Sequence, residues 1–101
     1  MIKVIIERFV AEGLEEYYEK AIGDLLNVMT AFTGYVSGES LVEIHRPNRY
    51  VVVSQWSSES AWDRWYCSNQ RQQLLTAVAP FLESEETYTK LRRLVYHRDQ
   101  E

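Results

Sequence analysis

The groups in this chain that could do chemistry are aromatic rings, scattered cations and a few amides. Trp56 ends the segment Val51-Val52-Val53-Ser54-Gln55-Trp56, immediately before Ser57 and Ser58. A strand-end indole above a following helix can form a wall for a planar ligand, and it can equally be a capping core residue. Glu7 and Arg8 lie near the end of the first apolar run. Arg8 could orient or polarise an anionic ligand as a fixed positive charge, or the pair could be edge charges that discourage wrong strand pairing. Trp62 and Trp65 are three residues apart and share a helix face, which serves a core or the mouth of a cavity. Tyr66 could donate a proton if buried beside a polar partner. Asn69, like Asn27, could hold a carbonyl or cap a turn.

The remaining polar groups carry less. His45 and His97 are far apart in the chain and give no metal-ligand motif, so no metal is expected. Cys67 is the sole cysteine and has no histidine to form a dyad, which favours a structural thiol. No glycine-rich phosphate loop occurs.

These side chains must be positioned by a small fold. With 101 residues there is room for one domain, 1–101 with its core over about 2–96. Three Trp, seven Tyr and three Phe are a heavy aromatic load for so thin a core, and point to burial against a partner or around a ligand. The net charge of −4 and scattered basic residues argue against a nucleic-acid partner. No segment reaches the roughly 20 apolar residues of a membrane span, and the N-terminal apolar run is too short for a signal peptide. One cysteine permits no internal disulfide, so the expectation is a cytoplasmic protein.

Alternation predicts a strand over 2–9, with Ile2, Val4 and Ile6 on one face. A helix follows over 14–31, its inward stripe Leu14, Tyr18, Ala21, Ile22, Leu25 and Met29. Gly34 is the expected terminator. Strands are expected over 35–43 and 50–56, joined by a hairpin turn containing Pro47. Ser57 and Ser58 can cap a second helix from about Glu59, which should break over 67–70 and resume over 71–79. Pro80 ends that segment, 84–86 reads as a surface loop, and a last strand spans 87–96.

The order β-α-β-β-α-β is that of an α+β, ferredoxin-like split βαβ fold. Both helices then cover one face of an antiparallel sheet and leave the other bare. Because the strands carry apolar residues on both alternations, a homodimer through the open sheet face is expected.

The segment Val53-Ser54-Gln55-Trp56-Ser57-Ser58-Glu59-Ser60-Ala61-Trp62-Asp63-Arg64-Trp65 carries a resemblance. A strand ending in Trp, a polar capping pair and a helix with Trp near its start resemble the antibiotic biosynthesis monooxygenase domains, and the likeness extends from Ile2 to Tyr96. The resemblance implies a dimeric α+β barrel. In that family's heme-degrading members the strand-end Trp sits with an Asn from the first strand and a His late in the second helix. Trp56 matches the first, but Arg8 stands at about the Asn position and Leu75 near the His position. Leucine has no lone pair for iron, so no heme is expected, and without a ligand cluster or a phosphate loop no metal or flavin is expected either.

The resemblance further implies a cofactor-independent monooxygenase, or a related oxidative enzyme, acting on a small phenol- or quinol-type aromatic. In that reading Trp56, Arg8 and Asn69 are the catalytic candidates, and Trp56, Trp62, Trp65 and Tyr66 line the substrate. The alternative is a non-catalytic small-molecule-binding or stress-associated module using the same cavity.

Overall fold

The computed structural model describes residues 1–94. Eight residues of alternating burial make β1 (Ile2–Phe9), followed by α1 (Glu15–Thr30), β2 (Tyr35–Glu43), β3 (Arg46–Trp56), α2 (Glu59–Tyr66), α3 (Asn69–Val78), a 3-10 turn (Ala79–Phe81) and β4 (Thr87–Arg92). The sheet is antiparallel in the order β2-β3-β1-β4. This is the expected ferredoxin-like arrangement, the first and third strands central.

Alternation assigns the faces. Val4, Ile6 and Arg8 on β1 pair with Ser54, Val52 and Tyr50 on β3, and all six are buried beneath the helices. The opposite alternation places Ile5, Val51 and Val53 on the uncovered face, half-buried, with Leu41 and Leu91 exposed at its margins. Tyr18 and Met29 of the predicted α1 stripe are buried, and Leu14, Ala21, Ile22 and Leu25 pack partly against the core.

Local chemistry fixes the element ends. Gly34 adopts φ +98°, a region that L side chains avoid, and a Cβ there would collide with the Ala61 side chain. Ser58 Oγ accepts from Ala61 N at 3.1 Å and caps α2. The predicted break in the second helix falls at Cys67 and Ser68. It is shorter than expected, because Ser68 Oγ accepts from Arg71 N at 3.0 Å and lets α3 begin at Asn69.

The hairpin also differs from expectation. Strand β3 starts at Arg46, which pairs with Glu43, so the turn is Ile44-His45 and Pro47 lies inside the strand. The register jumps from Glu43↔Arg46 to Val42↔Tyr50, so Pro47 sits in a bulge where no ladder donor is needed. The fourth strand ends at Arg92. The expected continuation through Val95 and Tyr96, and the His97 tail, lie outside the described residues. Among the described residues no helix is long and apolar enough to cross a membrane.

Candidate functional site

Arg8 belongs to the buried alternation of β1 and is only 5% exposed, so its charge needs partners inside the fold. Its Nε donates to Glu86 Oε1 at 2.8 Å and its Nη1 donates to the Tyr18 hydroxyl at 3.0 Å. Arg71, in the first turn of α3, donates from Nη2 to the other Glu86 oxygen at 2.6 Å. One carboxylate is thus gripped by two guanidinia from different elements, which ties the 82–86 segment to both β1 and α3. Desolvation opposes the Arg8 charge, but Tyr18 and Glu86 outweigh it and hold the Arg8 pKa above its ordinary value.

This ion cluster forms one wall of a cleft of about 550 Å³ between α3 and the segment leading into β4, lined by Tyr66, Arg71, Leu75, Leu82 and Glu86 among others. The Arg71 guanidinium lies over the Tyr66 ring, 4.1 Å from its centroid. Tyr66 in turn touches Tyr88 and Trp62, with ring centroids 4.9 and 6.1 Å away. The cleft therefore offers a cation, an aromatic face and an apolar side (Leu75, Leu82), and its volume suits a small planar ligand.

The structure brings some sequence-predicted residues to this cleft and leaves others elsewhere. Tyr66 lines it, and Arg8 stands behind it through Glu86. Trp62 backs Tyr66 from a nearly fully buried position, and among the described residues its Nε1 has no hydrogen-bond partner. Trp56 is 0% exposed, with Trp62, Trp65, Tyr35 and Phe32 around it. Its Nε1 donates to Ser54 Oγ at 3.0 Å, and that hydroxyl donates to Val4 O. A ring enclosed on every side presents no wall to a ligand; Trp56 and Trp65 fill solid core. Asn69 is exposed on a shallow depression with Gln72, Gln73 and Thr76, none of which lines the cleft.

Sequence reasoning missed Glu86, Arg71 and Tyr18. The 84–86 segment was expected to be a surface loop, yet the Glu86 side chain is 7% exposed. The available signal was Arg8 itself: it continues the Ile2, Val4, Ile6 alternation, and an inward arginine requires a carboxylate from some other element. Among the described residues, no three His, Cys, Asp or Glu side chains are grouped to hold a metal ion.

Comparison with known proteins agrees with this architecture. A putative antibiotic biosynthesis monooxygenase from Bordetella bronchiseptica superposes with a TM-score of 0.85 at 17% identity, covering 93% of this chain and 97% of its own. A second from Nitrosomonas europaea gives 0.82 at 14% identity, covering 93% and 99%. SnoaB, a cofactor-independent oxygenase from Streptomyces nogalater, gives 0.75 at 20% identity, covering 95% and 98%. No curated protein matches the sequence. At these identities the superpositions establish the fold alone. The profile of the antibiotic biosynthesis monooxygenase family matches residues 1–77, more than half of the chain, and the protein belongs to that family.

Proposed function

We propose that the protein is a cofactor-independent monooxygenase that oxidises a small phenol- or quinol-type aromatic in the cleft between α3 and the 82–86 segment. The observation that carries this reading is the joining, in one cleft, of the Arg71 cation, the Tyr66 ring and the Leu75 side chain. The family assignment and the likeness to an oxygenase fold support it.

The chemistry asks little of the protein. An electron-rich ring reacts with dioxygen once it has lost a proton. A fixed guanidinium in a partly desolvated cleft stabilises the resulting enolate or phenolate. The carbanionic carbon then bonds one oxygen atom, and the peroxide formed loses water to leave a carbonyl. A ring CH2 plus O2 thus gives C=O plus H2O, with the substrate supplying all the electrons. Arg71 would bind the developing oxyanion, Tyr66 and Leu75 would hold the ring, and Arg8 would act as a positioning residue by fixing Glu86.

The test is dioxygen consumption by chelator-treated, extensively dialysed protein with a hydroxyanthrone as substrate. Uptake above the protein-free autoxidation rate, with one carbonyl formed per O2, is expected. Uptake equal to autoxidation across a panel of phenols and quinols would overturn the reading. The engagement of Glu86 by two guanidinia favours a second reading, a non-catalytic binding module. The Glu86 carboxylate beside the cleft is already committed, so this reading predicts retained ligand without turnover.

The open sheet face carries the assembly proposal. Ile5, Val51, Val53, Leu41 and Leu91 form an apolar patch that a two-fold partner would cover. Light scattering at micromolar concentration should give twice the mass of 11.9 kDa, and a monomer would overturn it.

A further inference from the structure

The charge count of the cluster behind the cleft does not balance. Arg8, Arg71 and Glu86 have side chains 6, 13 and 7% exposed, so two cations and one anion are withdrawn from water together. Desolvated charge is tolerated only when compensated, and here one positive charge is left over. Tyr18 accepts a hydrogen bond from Arg8 but brings no negative charge as a phenol. Glu83 and Glu85, also on the cleft, are exposed to solvent, where their fields are screened.

The surplus sits on the cleft side of the cluster. Arg71 donates to Glu86 through Nη2 and lays one face on Tyr66. Its Nε and Nη1 hydrogens find no acceptor among the described residues. The ring contact uses the face of the guanidinium and leaves its edge, and the edge is what pairs with a carboxylate. Arg71 also stands in the first turn of α3, where the helix dipole adds positive potential rather than opposing it.

We infer that the ligand of this cleft is an aromatic acid, an aromatic ring bearing a permanent carboxylate that seats on Arg71, and that Arg71 determines specificity for it. The inference rests on the cleft being the binding site and adds a second requirement to it. The carboxylate supplies the missing negative charge, while the ring lies against Tyr66 and Leu75. A neutral phenol of the same size would fill the same space and leave the surplus charge uncompensated.

The test uses 3-hydroxy-2-naphthoate and 2-naphthol, which share a ring system and differ by the carboxylate, titrated calorimetrically into the full chain. The naphthoate should bind roughly tenfold or more tightly than 2-naphthol, as expected for a charge-assisted contact. Arg71→Gln should bring the two towards parity by weakening the naphthoate more than 2-naphthol, and added salt should weaken the naphthoate more than 2-naphthol. Glu86→Gln raises the surplus charge and should tighten the naphthoate, an effect of opposite sign that mere loss of structure would not give. Equal wild-type affinities would overturn the inference while leaving the cleft as a binding site, and naphthoate binding indifferent to both substitutions would place the naphthoate outside the cleft and overturn the inference. Failure of both compounds to bind would overturn the cleft reading and this inference with it.

Discussion

Replacing Trp56 by alanine removes the largest side chain at the centre of the fold. Trp56 is 0% exposed, and a buried indole withdraws on the order of 200 Å² from water. At about 25 cal/mol per Å² this is about 5 kcal/mol, an upper bound because the unfolded chain already hides part of that surface. The Nε1 hydrogen bond to Ser54 adds about 1 kcal/mol, although Ser54 Oγ keeps Val4 O as a partner and is not orphaned. Partial collapse of Phe32, Trp62 and Trp65 into the space brings the expected loss to about 3–5 kcal/mol. A domain of this size has on the order of 5–15 kcal/mol in total, so the variant should be marginal. Trp56→Phe should cost about 1–2 kcal/mol, since a ring still fills most of the volume. Urea denaturation of the three proteins reads both values. A Trp56→Ala loss below about 1 kcal/mol, with an unchanged dependence on denaturant, would show that the indole is not enclosed and would return it to the candidate site.

Three further outcomes follow from single contacts. Glu86→Ala leaves Arg8 and Arg71 buried without their shared carboxylate and should cost about 3–5 kcal/mol in denaturant titration, whereas a loss under about 1 kcal/mol would show that water already compensates the pair. Gly34→Ala meets both a positive φ and the Ala61 side chain, so a loss of about 2 kcal/mol or more is expected, and a neutral or stabilising result would refute the backbone argument. Burial and then the Glu19 carboxylate hold the Tyr50 phenol protonated above its ordinary value of 10.0. Its folded pKa is therefore higher than its unfolded one, so its contribution is complete below about pH 10 and is lost as pH rises beyond that. Tyr50→Phe should flatten the alkaline limb of stability against pH, and an unchanged limb would refute the assignment.

Alternation and helix spacing made the architecture legible, because each strand and helix carries its own apolar face. Val4 and Ile6, or Tyr18 and Met29, point inward for reasons written within a few residues of themselves. Pro47 misled the hairpin boundary because its tolerance inside β3 depends on a bulge created by the pairing with β2. Trp56 shows the same limit at the site. A strand-end indole suits a pocket wall and a core equally, and only Phe32, Tyr35 and Trp65 closing around it decide for the core. Glu86 was invisible for the converse reason: a glutamate in a polar run becomes buried only when Arg8 and Arg71, 78 and 15 residues away along the chain, converge on it.

Filling the cleft tests the central claim most directly. Leu75 lines the cleft from α3 and is only partly buried, so Leu75→Trp adds an indole where the substrate ring would lie while leaving the Arg8–Glu86–Arg71 cluster in place. Dioxygen uptake with a hydroxyanthrone, measured for the wild-type protein and for Leu75→Trp at matched thermal stability, is the decisive comparison. Uptake should fall by roughly tenfold or more, the effect of losing a few kcal/mol of ring binding. Undiminished uptake by a folded Leu75→Trp protein would place the chemistry outside this cleft and contradict the account.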